Sequence, residues 1–197
     1  MFTGIIQQQW KILDIHDGTF KVQTPAERKL HTWQSIAHDG ACMSVTAMGS
    51  DRYSFFAMQE SFAKTNFGDK QPGDAFNLET CIQADSMLDG HIVTGHIDTT
   101  AKLIQTENAE DGSRKLVFSY DPQRDAYVIP KGSIAINGVS LTVVDALPGG
   151  WCSVRLIPLT LEKTNLWHLA QDESVNVEFD MLGKYVVKYM QQVTDTQ

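Results

Sequence analysis

The chain has 197 residues, of which 42% are hydrophobic and 20% charged. This composition excludes wholesale disorder and leaves one large domain or two small ones, at about 150 residues per domain. Lys and Arg total 16 against 24 Asp and Glu, a net charge of −8 with no basic stripe, so nucleic acid is not an expected partner.

No run reaches the ~18 apolar residues of a membrane span. The opening Met1-Phe2-Thr3-Gly4-Ile5-Ile6 lacks the basic segment and apolar run of a signal peptide. Cys42, Cys81 and Cys152 have no metal-type spacing. The expectation is a reducing, cytoplasmic setting, with no membrane partner and no structural zinc.

In chain order, short apolar–polar alternations are bounded by turn residues. Phe20-Lys21-Val22-Gln23-Thr24 follows His16-Asp17-Gly18, and residues 41–46 follow His38-Asp39-Gly40. A helical turn is predicted near 59–66. Leu116-Val117-Phe118-Ser119-Tyr120 alternates again. Asn137-Gly138 lies between apolar runs, and both residues accept positive φ, which predicts a hairpin. Residues 153–157 alternate after Pro148-Gly149-Gly150, and a second helical turn is predicted near 160–168. Such spacing suggests small antiparallel barrels. The tail differs. Leu182, Tyr185, Val186, Tyr189, Met190 and Val193 form one apolar stripe at helical spacing. That helix either packs on its own barrel or is covered by self-association.

The chain also repeats itself, and a repeat decides architecture. SIAHDGACMSVT at 35–46 matches SIAINGVSLTVV at 133–144 at an offset of 98, with five of twelve positions identical. Lys64-Thr65-Asn66 matches Lys163-Thr164-Asn165, and Asn77-Leu78-Glu79 matches Asn176-Val177-Glu178, both at an offset of 99. Thr3-Gly4-Ile5 matches Thr94-Gly95-His96 at 91. Offsets drift where surface loops differ in length. The expected units are 1–90 and 91–180, followed by a helix and tail at 181–197.

No dinucleotide, Walker A or nucleophile-elbow motif is present. The informative positions are those where the copies differ. Cys42 stands opposite Ser140, and Ile5 opposite His96. A strand thiol is commonly an inert core group. A histidine found in one copy only suits proton transfer needed once per site. Lys131 is either a solvated cation or a contact for an electron-rich ring oxygen. Ser44 and Thr142, like Ser61 and Thr160, are matched hydroxyls that either serve a ligand in both copies or bond locally.

Read together, these segments resemble the riboflavin synthase family of lumazine-binding repeat proteins. The resemblance runs from Met1-Phe2-Thr3-Gly4-Ile5-Ile6 through Ser35-Ile36-Ala37 and Cys42-Met43-Ser44-Val45-Thr46 to Lys64-Thr65-Asn66-Phe67. It continues through Gly90-His91-Ile92-Val93-Thr94-Gly95-His96-Ile97-Asp98, residues 131–143, Ile157-Pro158, Thr160-Leu161 and Asn176-Val177-Glu178 with Asp180. It implies an all-β fold of two tandem six-stranded antiparallel Greek-key barrels with a C-terminal α-helix. It implies a homotrimer whose sites form between the first barrel of one subunit and the second barrel of its neighbour. The implied reaction exchanges four carbons between two molecules of 6,7-dimethyl-8-ribityllumazine, giving riboflavin and 5-amino-6-(D-ribitylamino)uracil without a cofactor or metal. Association with lumazine synthase is a further partner it suggests. A lumazine- or flavin-binding antenna protein on the same fold is the alternative.

Carried over by position, the resemblance implies ligand contacts at Gly4, Ile5, Ile6, Cys42, Met43, Ser44, Phe56, Ala57, Met58, Gln59, Glu60 and Ser61. In the second copy it implies Gly95, His96, Ile97, Lys131, Ser140, Leu141, Thr142, Arg155, Leu156, Ile157, Pro158, Leu159 and Thr160. Turnover falls on Ser35, Cys42, His96, Ser140 and Asp180. His96 is the expected base toward the acidic 7-methyl group, with Cys42 or Ser140 placed to add a nucleophile. Phe56 stands where the family commonly has Asp, Ser61 where it has Thr, and Leu159 where it has a polar residue.

Overall fold

The computed structural model describes residues 1–25 and 27–194; residues 195–197 of the expected tail lie outside it. The first barrel is built from β1 (Gln8–His16), β2 (Thr19–Gln23), β3 (Ser35–His38), β4 (Ala41–Met48), β5 (Arg52–Phe56) and β6 (Ala75–Thr80). The second uses β7 (Thr99–Asn108), β8 (Arg114–Ser119), β9 (Ser133–Ile136), β10 (Val139–Leu147), β11 (Trp151–Leu156) and β12 (Ser174–Phe179). Each closes in the same Greek-key order, β1-β2-β5-β4-β3-β6 and β7-β8-β11-β10-β9-β12, with every pairing antiparallel.

Local chemistry explains the strands. Along β2 and β4 apolar residues alternate inward, as a half-buried strand requires. Asp39-Gly40 and Asn137-Gly138 both hold positive φ (44° and 85°, 45° and 77°), the primed turn that suits strand twist. Register breaks recur at matched places, Val45/Ala47 in β4 and Val143/Asp145 in β10. Such bulges bend a strand and help a sheet close on itself.

A short helix follows β5 and β11 in turn: α1 (Gln59–Lys64) and α2 (Pro158–Lys163). The cores differ in kind. Phe20, Tyr53, Phe55, Phe67 and Phe76 fill the first barrel, while Leu103, Leu116, Ile136, Val154 and Val175 dominate the second.

The barrels meet across an approximate two-fold axis. Phe2 bridges Val93, its own counterpart, and Gly40 faces Gly138 so closely that a Cβ on either would meet backbone of the other. Asn77 Nδ2 donates to the Asn137 carbonyl at 3.0 Å, and Asn176 Nδ2 to that of Asp39 at 3.0 Å. One substitution breaks the symmetry. Asp39, opposite Asn137, is fully buried and paired with Lys70 Nζ at 2.7 Å.

The last helix, α3 (Met181–Thr194), starts at Asp180, whose Oδ1 accepts the Leu182 N–H at 3.0 Å. Lys184 Nζ anchors it to Asp98 at 2.6 Å. Leu182, Tyr185, Val186, Tyr189 and Met190 are all exposed, so the predicted stripe does not pack on its own barrel.

Candidate functional site

The two Thr-Gly segments are held by identical clamps. Thr3 N and Oγ1 both donate to Glu79 Oε1 at 2.7 Å, and Gly4 N to Oε2 at 2.9 Å. Thr94 N and Oγ1 donate to Glu178 Oε1 at 2.7 Å, and Gly95 N to Oε2 at 2.9 Å. Burial holds Glu79 above the ordinary carboxylate value, against the three hydrogen bonds that pull it down.

Each clamped segment then crosses to the other barrel. The Gly4 carbonyl accepts from Ser140 N, and the Gly95 carbonyl from Cys42 N, both at 2.8 Å. Ile6 packs on the second core and Ile97 on the first. Only glycine fits at the crossings. A Cβ on Gly4 would fall 2.6 Å from Ser140 Cβ, and one on Gly95 2.5 Å from Cys42 Cβ. Both glycines also have positive φ, 78° and 85°.

The crossing regroups the predicted residues. Gly95, His96 and Ile97, from the second sequence copy, line a cleft of about 240 Å³ with Cys42, Met43, Met58, Glu60 and Ser61 of the first barrel. Gly4 and exposed Ile5 belong with Ser140 on the second barrel. Exposed Ile157, Pro158 and Leu159 and half-buried Thr160, at the start of α2, are not needed for that contact. His96 therefore shares a cleft with Cys42, not with Ser140.

The thiol and the hydroxyl sit in different surroundings. Burial pushes the Cys42 thiol up, opposed by a hydrogen bond with Ser35. Ser140 Oγ is 2.7 Å from His91 Nδ1. Burial pushes His91 down, while the charges of Asp180 and Glu178 pull it back up. His91 Nε2 is buried without a hydrogen-bond partner among the described residues. Sequence reasoning did not single out His91, because the matched segments start after it and it has no counterpart in the first copy. The structure also leaves no room for a side chain at the preceding Gly90, whose Cβ would collide with the Thr3 carbonyl.

Other predicted residues are distributed around these centres. Ser44 and Thr142 are exposed on matched strands, and Lys131 is exposed just before β9. Phe56 is exposed beside Gly18, and Gln59 and Glu60 are exposed on α1. Arg155 Nη1 donates to Ser113 Oγ at 3.1 Å, which ties it to the β7–β8 connection. Ala57, Leu141 and Leu156 belong to the barrel cores.

Twin barrels, each completed by a Thr-Gly segment clamped in the other, define a tandem-repeat protein whose matched positions carry unlike polar groups. The lumazine binding domain family matches residues 3–81 and again 94–180. Riboflavin synthase of Actinobacillus pleuropneumoniae is 36% identical over 195 residues, covering 96% of this chain and 90% of the relative. That of Escherichia coli K12 is 36% identical over 199 residues (98% and 93%), and that of Bacillus subtilis 30% over 203 residues (100% and 93%). The chain belongs to the riboflavin synthase family of lumazine-binding domain proteins. Among solved structures, LumP complexed with riboflavin has the same fold, with a TM-score of 0.82, 24% identity and coverage of 91% and 99%. LumP complexed with 6,7-dimethyl-8-(1'-D-ribityl) lumazine gives 0.79 at 23% identity, covering 90% and 98%.

Proposed function

We propose that this protein is a riboflavin synthase. It takes two molecules of 6,7-dimethyl-8-ribityllumazine and moves four carbons from one to the other. The products are riboflavin and 5-amino-6-(D-ribitylamino)uracil, so atoms and electrons balance between two identical reactants. The observation that carries this reading is the crossing: two matched Thr-Gly crossings per chain, at Cys42 and at Ser140, whose polar groups differ. Two copies of one substrate need like pockets, and a donor and an acceptor need unlike chemistry.

His96, in the cleft with Cys42, is the base toward the 7-methyl proton, whose carbanion delocalises into the ring. Burial disfavours the Cys42 thiolate. That favours Ser140, joined to His91 at 2.7 Å, for placing the nucleophile or the water that adds to the ring. Ser35 positions the Cys42 thiol, and Asp180 sets the charge felt by His91. Holding both reactants in fixed orientation supplies much of the rate.

Residues 1–90 and 91–180 serve as the two binding units. The 181–197 segment assembles a homotrimer through the apolar face of α3, bringing a first barrel against a neighbour's second barrel. Free Cys42, Cys81 and Cys152 support a cytoplasmic setting, and association with lumazine synthase remains part of this reading.

The test is direct. Purified protein is mixed with 6,7-dimethyl-8-ribityllumazine and riboflavin formation is followed by absorbance. Conversion is expected. Binding without conversion would make the protein an antenna-type binder, and no uptake at all would end the reading. Sedimentation of Tyr185→Glu tests the assembly, with loss of the trimer as the expected result.

A further inference from the structure

Trp33 departs from what a folded chain tolerates without reason. Its φ is 71°, a left-handed conformation that is disfavoured for any residue with a Cβ and rare for a bulky one. Its indole is 84% exposed, the most exposed large apolar side chain among the described residues. An outlier of this kind points to function rather than to packing.

The backbone there belongs to the repeat. Trp33 N donates to the Val45 carbonyl at 2.8 Å, and Lys131 N to that of Val143 at 2.8 Å. Lys131 has a φ of 67°. Both residues sit two positions before the first residue of β3 or β9. The two copies thus keep the strained backbone and change only the side chain, from an aromatic ring to a cation.

The place matters as much as the strain. Trp33 precedes Ser35 by two residues, and its N–H bond to Val45 holds it against β4. Ser35 pairs with Ser44 on β4, two residues along the same strand face from Cys42, which lines the first-barrel cleft. The exposed indole thus sits at the end of the strand pair that carries Cys42.

We propose that Trp33 is a specificity-determining residue of the first-barrel site, its indole lying against the flat heteroaromatic ring of the substrate held beside Cys42. This rests on the two-lumazine reading above. A large apolar ring surface covers the bicycle and sheds water from it. Lys131, at the matched position, offers a charge to the other molecule instead. The pair thereby makes two pockets for one substrate unequal.

The test compares wild type with Trp33→Gly and Trp33→Phe. Glycine suits the backbone, so the melting temperature of Trp33→Gly should stay or rise. Its riboflavin titration should show one of two binding events weakened about tenfold, the size of a lost aromatic contact. KM should rise more than kcat falls. Riboflavin-induced quenching of tryptophan emission should shrink in both variants, while Trp33→Phe recovers most of the affinity. Wild-type affinity and unchanged quenching in Trp33→Gly would overturn the proposal. So would an altered sedimentation profile with unchanged affinity, which would make Trp33 a subunit contact. If wild-type protein takes up neither riboflavin nor the lumazine, the functional reading and this proposal fall together. If wild type binds and Trp33→Gly binds equally well, only the role of Trp33 falls.

Discussion

The two barrels share strand order, turns, bulges and the Thr-Gly clamp, yet they are filled differently. Where the first has Tyr53, Phe55, Phe67 and Phe76, the second has Cys152, Val154, Leu166 and Val175. His38 is buried in the first at the place of Ile136, 2.6 Å from the Tyr53 hydroxyl. Topology therefore does not depend on which apolar side chains fill the space, provided volume and alternation are kept. What cannot vary is the backbone at the crossings, where glycine and a carboxylate are found in both copies.

The largest effect expected is from removing a clamp. Glu79→Ala or Glu178→Ala strands three donors bonded at 2.7, 2.7 and 2.9 Å. Each should cost about 3–6 kcal/mol in denaturant unfolding. A small loss at one and a large loss at the other would break the equivalence of the barrels.

Asp39→Asn gives the first barrel the residue of the second and leaves Lys70 buried without its partner. Attraction to Asp39 raises Lys70 despite burial. A loss of about 3 kcal/mol is expected, and Lys70→Met in the same background should recover part of it. Recovery of nothing would mean that the ion pair does not hold the interface.

His96→Gln should lower kcat about 100-fold or more while leaving lumazine affinity nearly unchanged. Ile5→His should gain nothing, because Ile5 lies with Ser140 rather than Cys42. Equal turnover in His96→Gln and wild type would remove His96 as the base.

A last comparison separates the cores by pH, with an effect that is absent at neutral pH and grows only on acidification. Burial pushes His38 from 6.5 down to about 3. The unfolded chain takes up that proton first, so stability is complete above pH 6.5 and falls as pH drops toward 3. The slope is about 1.4 kcal/mol per pH unit. His38→Phe should flatten that slope between pH 6.5 and 4, measured by thermal unfolding across pH. An unchanged slope would place the acid sensitivity elsewhere.

Much of this was legible in the residues. Asp39-Gly40 and Asn137-Gly138 announced their turns, because few other pairs tolerate two positive φ values. Matched segments at offsets of 98 and 99 announced two barrels. Cys42, His96 and Ser140 stood out because the copies disagree there. The partnership of His91 with Ser140 was not legible, since His91 precedes the matched segments and has no counterpart to be compared with.

Local sequence settled strands, turns and duplication, because alternation and turn chemistry act over a few residues. The apolar stripe of α3 was equally plain, although the face it presents to solvent was not. Only the tertiary structure decided that each Thr-Gly segment completes the opposite barrel. That outcome depends on Glu79 and Glu178 clamping residues 75 or more positions away, and on backbones meeting where a single Cβ would not fit. No local pattern encodes such contacts, and they are what bring His96 to Cys42.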